Sequence, residues 1–116
     1  MKPYDVTFKH LVEAHPRDAL AFVGIAGIER VEIVDADVSA ISSAVDKALK
    51  VTTQQGEFLV HLEFQSGRDN ELAERLFWYN AVLYHRHRLP VQTVLVLLTA
   101  AADSPRLTGR LAAAVR

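Results

Sequence analysis

Cysteine is absent from the 116 residues, which excludes disulfides and thiolate metal sites and fits a reducing compartment. An excess of either charge is missing too. Thirteen Lys and Arg against 14 Asp and Glu leave a formal net charge of -1, so any contact with nucleic acid has to use a local patch. No apolar run is long enough to span a bilayer, and "MKPYDVTFKHLVEAHP" lacks the uninterrupted apolar core of a signal peptide. The expectation is a cytoplasmic chain that does not engage a membrane. Repeats, low-complexity segments and internal linkers are also lacking. What is present, 50% hydrophobic and 23% charged residues, suits one core and a single domain over residues 1–116.

Along the chain the hydrophobic period changes several times. "DVTFKHLVEAHPRDALAFVGI" offers N-caps at Asp5 and Thr7 and puts Phe8, Leu11 and Val12 at helical spacing. Pro16 interrupts it before a second short helix around Asp18 to Val23. "RVEIVDADVS", with Val31 and Ile33, predicts a first strand that ends near Asp35 and Asp37. "DKALKVTTQQGEFLVHLEFQ" reads as two strands joined by a turn at Gln55 and Gly56. "DNELAERLFWYNAVLYHRHR" has Asp69 or Asn70 as N-cap and basic residues in its last turn. One stripe of it carries Leu72, Leu76, Tyr79 or Asn80, and Leu83. After Pro90, "VQTVLVLLT" reads as a central strand covered on both faces. A 116-residue chain has little left to cover such a strand, which predicts an apolar patch closed by self-association, a homodimer in the simplest case.

Chemistry concentrates on "GEFLVHLEFQSG". Alternation sets Phe58, Val60, Leu62 and Phe64 on one face, a core seam, and Glu57, Leu59, His61, Glu63 and Gln65 on the other, a polar row. Asp46 begins the preceding strand and Glu63 nears the end of this one, so an antiparallel hairpin can bring the two carboxylates together. Paired oxygen ligands suit a hard divalent cation, Mg²⁺ or Mn²⁺. Such an ion stabilises a phosphoryl oxygen and lowers the pKa of an attacking water.

The αβββαβ order, with an Asp and then E-x-Q on the following strand, resembles the PD-(D/E)XK nuclease superfamily, whose usual signature ends in E-x-K. The segments "YDVTFKHLVEAHP", "DADVS", "VDKALKV", "HLEFQS", "RLFWYNAVLYHRHRLPV" and "TVLVLLT" are similar to its Rpn-like group of recombination-promoting nucleases and transposase-like proteins, over most of the chain. The resemblance implies a restriction-endonuclease-like α/β fold, a mixed central sheet flanked by helices. It also implies a metal-dependent DNA endonuclease with Asp46 and Glu63 as ligands and Gln65 where the lysine usually stands. Two departures accompany it: Gln65 carries no charge, and the chain is short for a group whose members often continue with further helices.

Each residue also has a plainer reading. Alone, Glu63 is a solvent-facing residue of a half-exposed strand, Asp46 a turn or cap residue, and Gln65 an edge-strand amide or one that orients water or phosphate. Lys50 shares the strand face of Asp46 and could bring an ammonium to a phosphate, or simply solvate a sheet edge. Glu13, on the opening helix, could add a carboxylate or lie on a solvated face. His85 and His87, two apart on a helix, are poorly placed to share a zinc ion. With Arg86 and Arg88 they suit a helix C-terminus, while Arg75 and Arg68 lie nearer Glu63 as phosphate contacts. Trp78, Tyr79 and Tyr84 read as helix packing. Two functions remain: the DNA endonuclease, or a nuclease fold without activity that binds DNA or protein.

Overall fold

A computed structural model describes residues 10–34, 48–65 and 69–98. Residues 10–14 are helical, His15 breaks the run, and α1 follows at Pro16–Phe22. Proline is tolerated at this first helical position because its missing N–H has no partner there anyway. Strands β1 (Arg30–Val34), β2 (Ala48–Thr53) and β3 (Gly56–Gln65) precede helix α2 (Leu72–His87) and strand β4 (Val91–Leu97). The four strands form one mixed sheet in the order β1-β2-β3-β4. Its first two pairings are antiparallel and the last is parallel. A parallel pair needs a crossover, which α2 supplies. None of the helices among the described residues is long and apolar enough to cross a membrane.

The β2–β3 hairpin turns at Gln54 and Gln55, one residue earlier than the sequence suggests, with Thr53 opposite Gly56. Thr53 Oγ1 accepts the Gln55 N–H at 3.2 Å. Gly56 has φ +125°, a conformation that side-chain-bearing residues rarely adopt.

Both faces of the sheet are covered. Leu49, Val51, Val60 and Leu62 pack with Val12, Ala19 and Leu20 from the N-terminal helical region. On the opposite face Ala48 and Leu59 pack with Leu83 of α2. The core-facing stripe of α2 is Leu72, Leu76, Tyr79 and Leu83, all buried. Trp78 and Tyr84 fall off that stripe and are about half exposed, at 53% and 49%, so of the three aromatics only Tyr79 packs inward as expected.

The central strand is β3, not β4. From Leu59 to Glu63 every residue of β3 is buried, whereas β4 is half-buried along most of its length and is the edge among the described strands. An apolar run tells that a strand is covered, not where in the sheet it lies. The basis for expecting self-association through "VLVLLT" is therefore lost.

Asn80, on the flank of the buried stripe, fastens the helix to this edge: its Nδ2 donates to the Val91 carbonyl at 2.8 Å and to Thr93 Oγ1 at 3.0 Å. Removing a donor from a half-buried carbonyl costs about 1–2 kcal/mol. Asn80→Ala is expected to lower the urea midpoint accordingly. An unchanged midpoint would show that the two bonds are exchanged for water at no loss.

Candidate functional site

The face of β3 that the alternation marks as a polar row is not open to solvent. His61 is fully buried and Glu63 is 7% exposed, because the apolar stripe of α2 lies across them. Leu59 packs with Leu83. Two residues further along the strand, the His61 ring meets Tyr79 edge to face, with centroids 5.8 Å apart and planes at 76°. The helix runs back over the strand in the opposite sense. Four helical residues rise about 6 Å and two strand residues about 6.6 Å, so the next step pairs Glu63 with the turn that holds Arg75. The polar groups gathered where β3 ends and α2 begins are therefore His61, Glu63, Arg75 and Tyr79.

Electrostatics agree with that placement. His61 Nε2 lies 3.7 Å from Glu63 Oε2. Arg75 Nη1 donates to Asp69 Oδ2 at 2.6 Å. Burial opposes the charge of Arg75, but the hydrogen bond to Asp69 and the negative charges of Asp69 and Glu63 outweigh it, holding the guanidinium above its ordinary value. The hydrogen bond from Arg75, with a second from the Glu71 N–H, keeps the Asp69 carboxyl below the usual range. The N-cap is Glu71, with no side-chain cap, rather than Asp69 or Asn70, because the helix starts only at Leu72; Asp69 instead forms an Asx turn ahead of it, its Oδ1 accepting the Glu71 N–H at 2.9 Å.

The residues singled out in the sequence are not all assembled here. Glu63 and Gln65 lie on one face of β3, Glu63 buried and Gln65 half-buried at the strand's last position. Arg75 joins them from α2. Lys50 does not: it stands opposite Leu59, four residues or roughly 13 Å along β3 from Glu63, and its ammonium is paired with Glu57 at 3.5 Å. Glu13 is exposed on the helical turn whose neighbour Val12 packs into the opposite face of the sheet. Asp46, Arg68, Asp35 and Asp37 lie outside the described residues.

His61 and Asp69 complete the cluster, though the sequence marks them only as a member of the polar row and a candidate N-cap, not as site residues. The alternation of β3 already sets His61 beside Glu63. The Asp69–Arg75 pair, six apart, is a tie between the helix entry and its first turn that a search at i, i+4 spacing passes over.

For a divalent ion, the described residues offer the Glu63 carboxylate as a hard oxygen donor, with the Gln65 amide two residues on. Mg²⁺ is commonly held by one or two carboxylates with water and substrate oxygens, so this donor set fits one side of such a site. No group of three or more His, Asp or Glu side chains converges among the described residues. No protein-family model, curated protein or solved structure matches the chain.

Proposed function

We propose that this protein is a metal-dependent DNA endonuclease with a restriction-endonuclease-like core, its site at the C-terminal end of β3. The observation that carries the reading is the burial of Glu63 in a polar cluster roofed by α2. Burying a carboxylate is costly unless it is paired or ligated, which makes a buried glutamate at a strand end a candidate ligand. The αβββαβ order, the mixed sheet and the helix on each side support the fold expected from the resemblance. The end of a strand in a βαβ crossover is also where open α/β sheets commonly present ligand sites.

The reading requires Asp46 beside Glu63. The described β2–β3 register ends with Ala48 opposite His61. Mg²⁺ or Mn²⁺ held by these two carboxylates would supply an activated water and charge stabilisation for phosphodiester hydrolysis. The protein's own part is to hold Glu63 beside His61, whose ring rests on Tyr79, to keep bulk water out with α2, and to present Gln65 at the rim, where its amide can orient water or phosphate.

One observation favours the second reading, a nuclease fold that binds DNA or protein without cutting: among the described residues the one lysine, Lys50, is paired with Glu57 and away from Glu63. Plasmid cleavage separates the two. The parent protein is expected to nick supercoiled DNA with Mg²⁺ or Mn²⁺ and not in EDTA, and Glu63→Ala and Glu63→Gln are expected to lose this while remaining folded. Cleavage that persists in both variants would refute the assignment. DNA binding with no cleavage in the parent would leave the second reading.

A further inference from the structure

We propose that Arg75 is the phosphate-binding cation of this site, fixed over Glu63 by Asp69 so that its guanidinium meets a phosphodiester held at the end of β3. The inference rests on the nuclease reading for its substrate and on geometry for its residue. Phosphoryl transfer places negative charge on the oxygens around phosphorus, and a preorganised cation at that point is a large part of what a protein can contribute. Gln65 is neutral, and Lys50 is paired with Glu57 on another part of the sheet. Arg75 is the cation that α2 brings to Glu63, by the same turn-by-turn register that sets Leu83 against Leu59 and Tyr79 against His61.

The geometry also suits the task. A guanidinium carries five N–H donors in a rigid fork. One end, Nη1, is held by Asp69 Oδ2 at 2.6 Å, and Asp69 is itself anchored by the Glu71 N–H at 2.9 Å. That arrangement fixes the direction of the group while leaving donors of the fork available to an oxyanion. The side chain is 29% exposed, enough for a phosphate to reach it. The charge of Arg75 also interacts favourably with the buried Glu63 carboxylate. Asp69 is thus a positioning residue, acting through Arg75.

The test compares the parent with Arg75→Ala, Arg75→Lys, Asp69→Asn and Glu63→Gln, each checked for cooperative melting. Cleavage of supercoiled plasmid is measured under Mg²⁺. Binding of a short DNA duplex is measured in EDTA across a range of salt. Arg75→Ala is expected to lower kcat by about a hundredfold or more while KM changes only several-fold. Arg75→Lys should recover at least tenfold of that loss, and Asp69→Asn, which keeps an oxygen for the Glu71 N–H but loosens the tether, should fall between. The dependence of log K on log salt should become shallower by about one in Arg75→Ala, the mark of one lost phosphate contact. Cleavage in the parent that is lost in Glu63→Gln but unchanged in Arg75→Ala would overturn the Arg75 assignment and leave the nuclease reading standing. Binding without cleavage, with the salt slope still reduced in Arg75→Ala, would overturn the nuclease reading and retain the phosphate contact. A parent that neither binds nor cuts DNA would overturn both.

Discussion

Adding Mg²⁺ or Mn²⁺ is expected to raise the melting temperature of the parent protein and to leave that of Glu63→Gln unmoved. A ligand that binds only the folded state stabilises it by RT ln(1 + [L]/Kd), about 2.7 kcal/mol at a hundredfold excess over Kd. For a domain of this size that is a shift on the order of 10 °C. Glutamine keeps the shape of the glutamate and removes the charge that holds a hard cation. The nuclease reading requires Asp46 beside Glu63, and on that reading the metal-free protein holds two like charges together, so the variant without metal is expected to melt no lower than the parent. The Arg75 guanidinium, whose charge is coupled to Glu63, softens that repulsion but cannot reproduce a divalent ion. Equal responses of parent and variant to both metals would mean that Glu63 is not a ligand, and that its burial is a structural matter between it, His61 and Arg75.

The largest loss of stability is expected at Tyr79. Its side chain is fully buried on the inner stripe of α2 and packs edge to face on His61, so Tyr79→Ala leaves a large cavity directly beside a buried imidazole. Truncating a buried aromatic costs about 3–5 kcal/mol, against a total of roughly 5–15 kcal/mol for a typical domain. Tyr79→Phe, which keeps the ring, is expected to retain most of that stability. Trp78→Ala, one residue away but half exposed, is expected to change little. Chemical denaturation of the three variants checks this, and comparable losses for Trp78 and Tyr79 would show that the helix is seated differently on the sheet.

The contrast between those neighbours shows how far the sequence can be read. Leu72, Leu76, Tyr79 and Leu83 announce themselves by spacing, and the structure buries all four. Trp78 and Tyr84 share that segment but are about half exposed, since residence in an amphipathic helix does not fix the face. The hairpin was legible from its turn residues to within one position. The place of β4 in the sheet was not, since hydrophobicity reports coverage while sheet order depends on which crossover the chain makes.

Glu63 was legible as the residue that did not belong on its strand. What alternation could not say is that the second face of β3 is also covered, because that depends on a helix that follows later in the chain. The sequence already offers Arg75 as a phosphate contact near Glu63, but the alignment of α2 on β3 that brings it there is contained in no local pattern.

That alignment bears on the order in which the molecule comes together. The β2–β3 hairpin pairs residues as near in sequence as Thr53 and Gly56, whereas the β3–β4 ladder begins with Leu59 opposite Val91. Closing the longer loop costs more chain entropy, and contacts between distant segments are characteristically late to form. The polar cluster belongs to the second event: Glu63 and His61 sit on the early hairpin, and Arg75 and Tyr79 arrive with the helix that the closing ladder holds down.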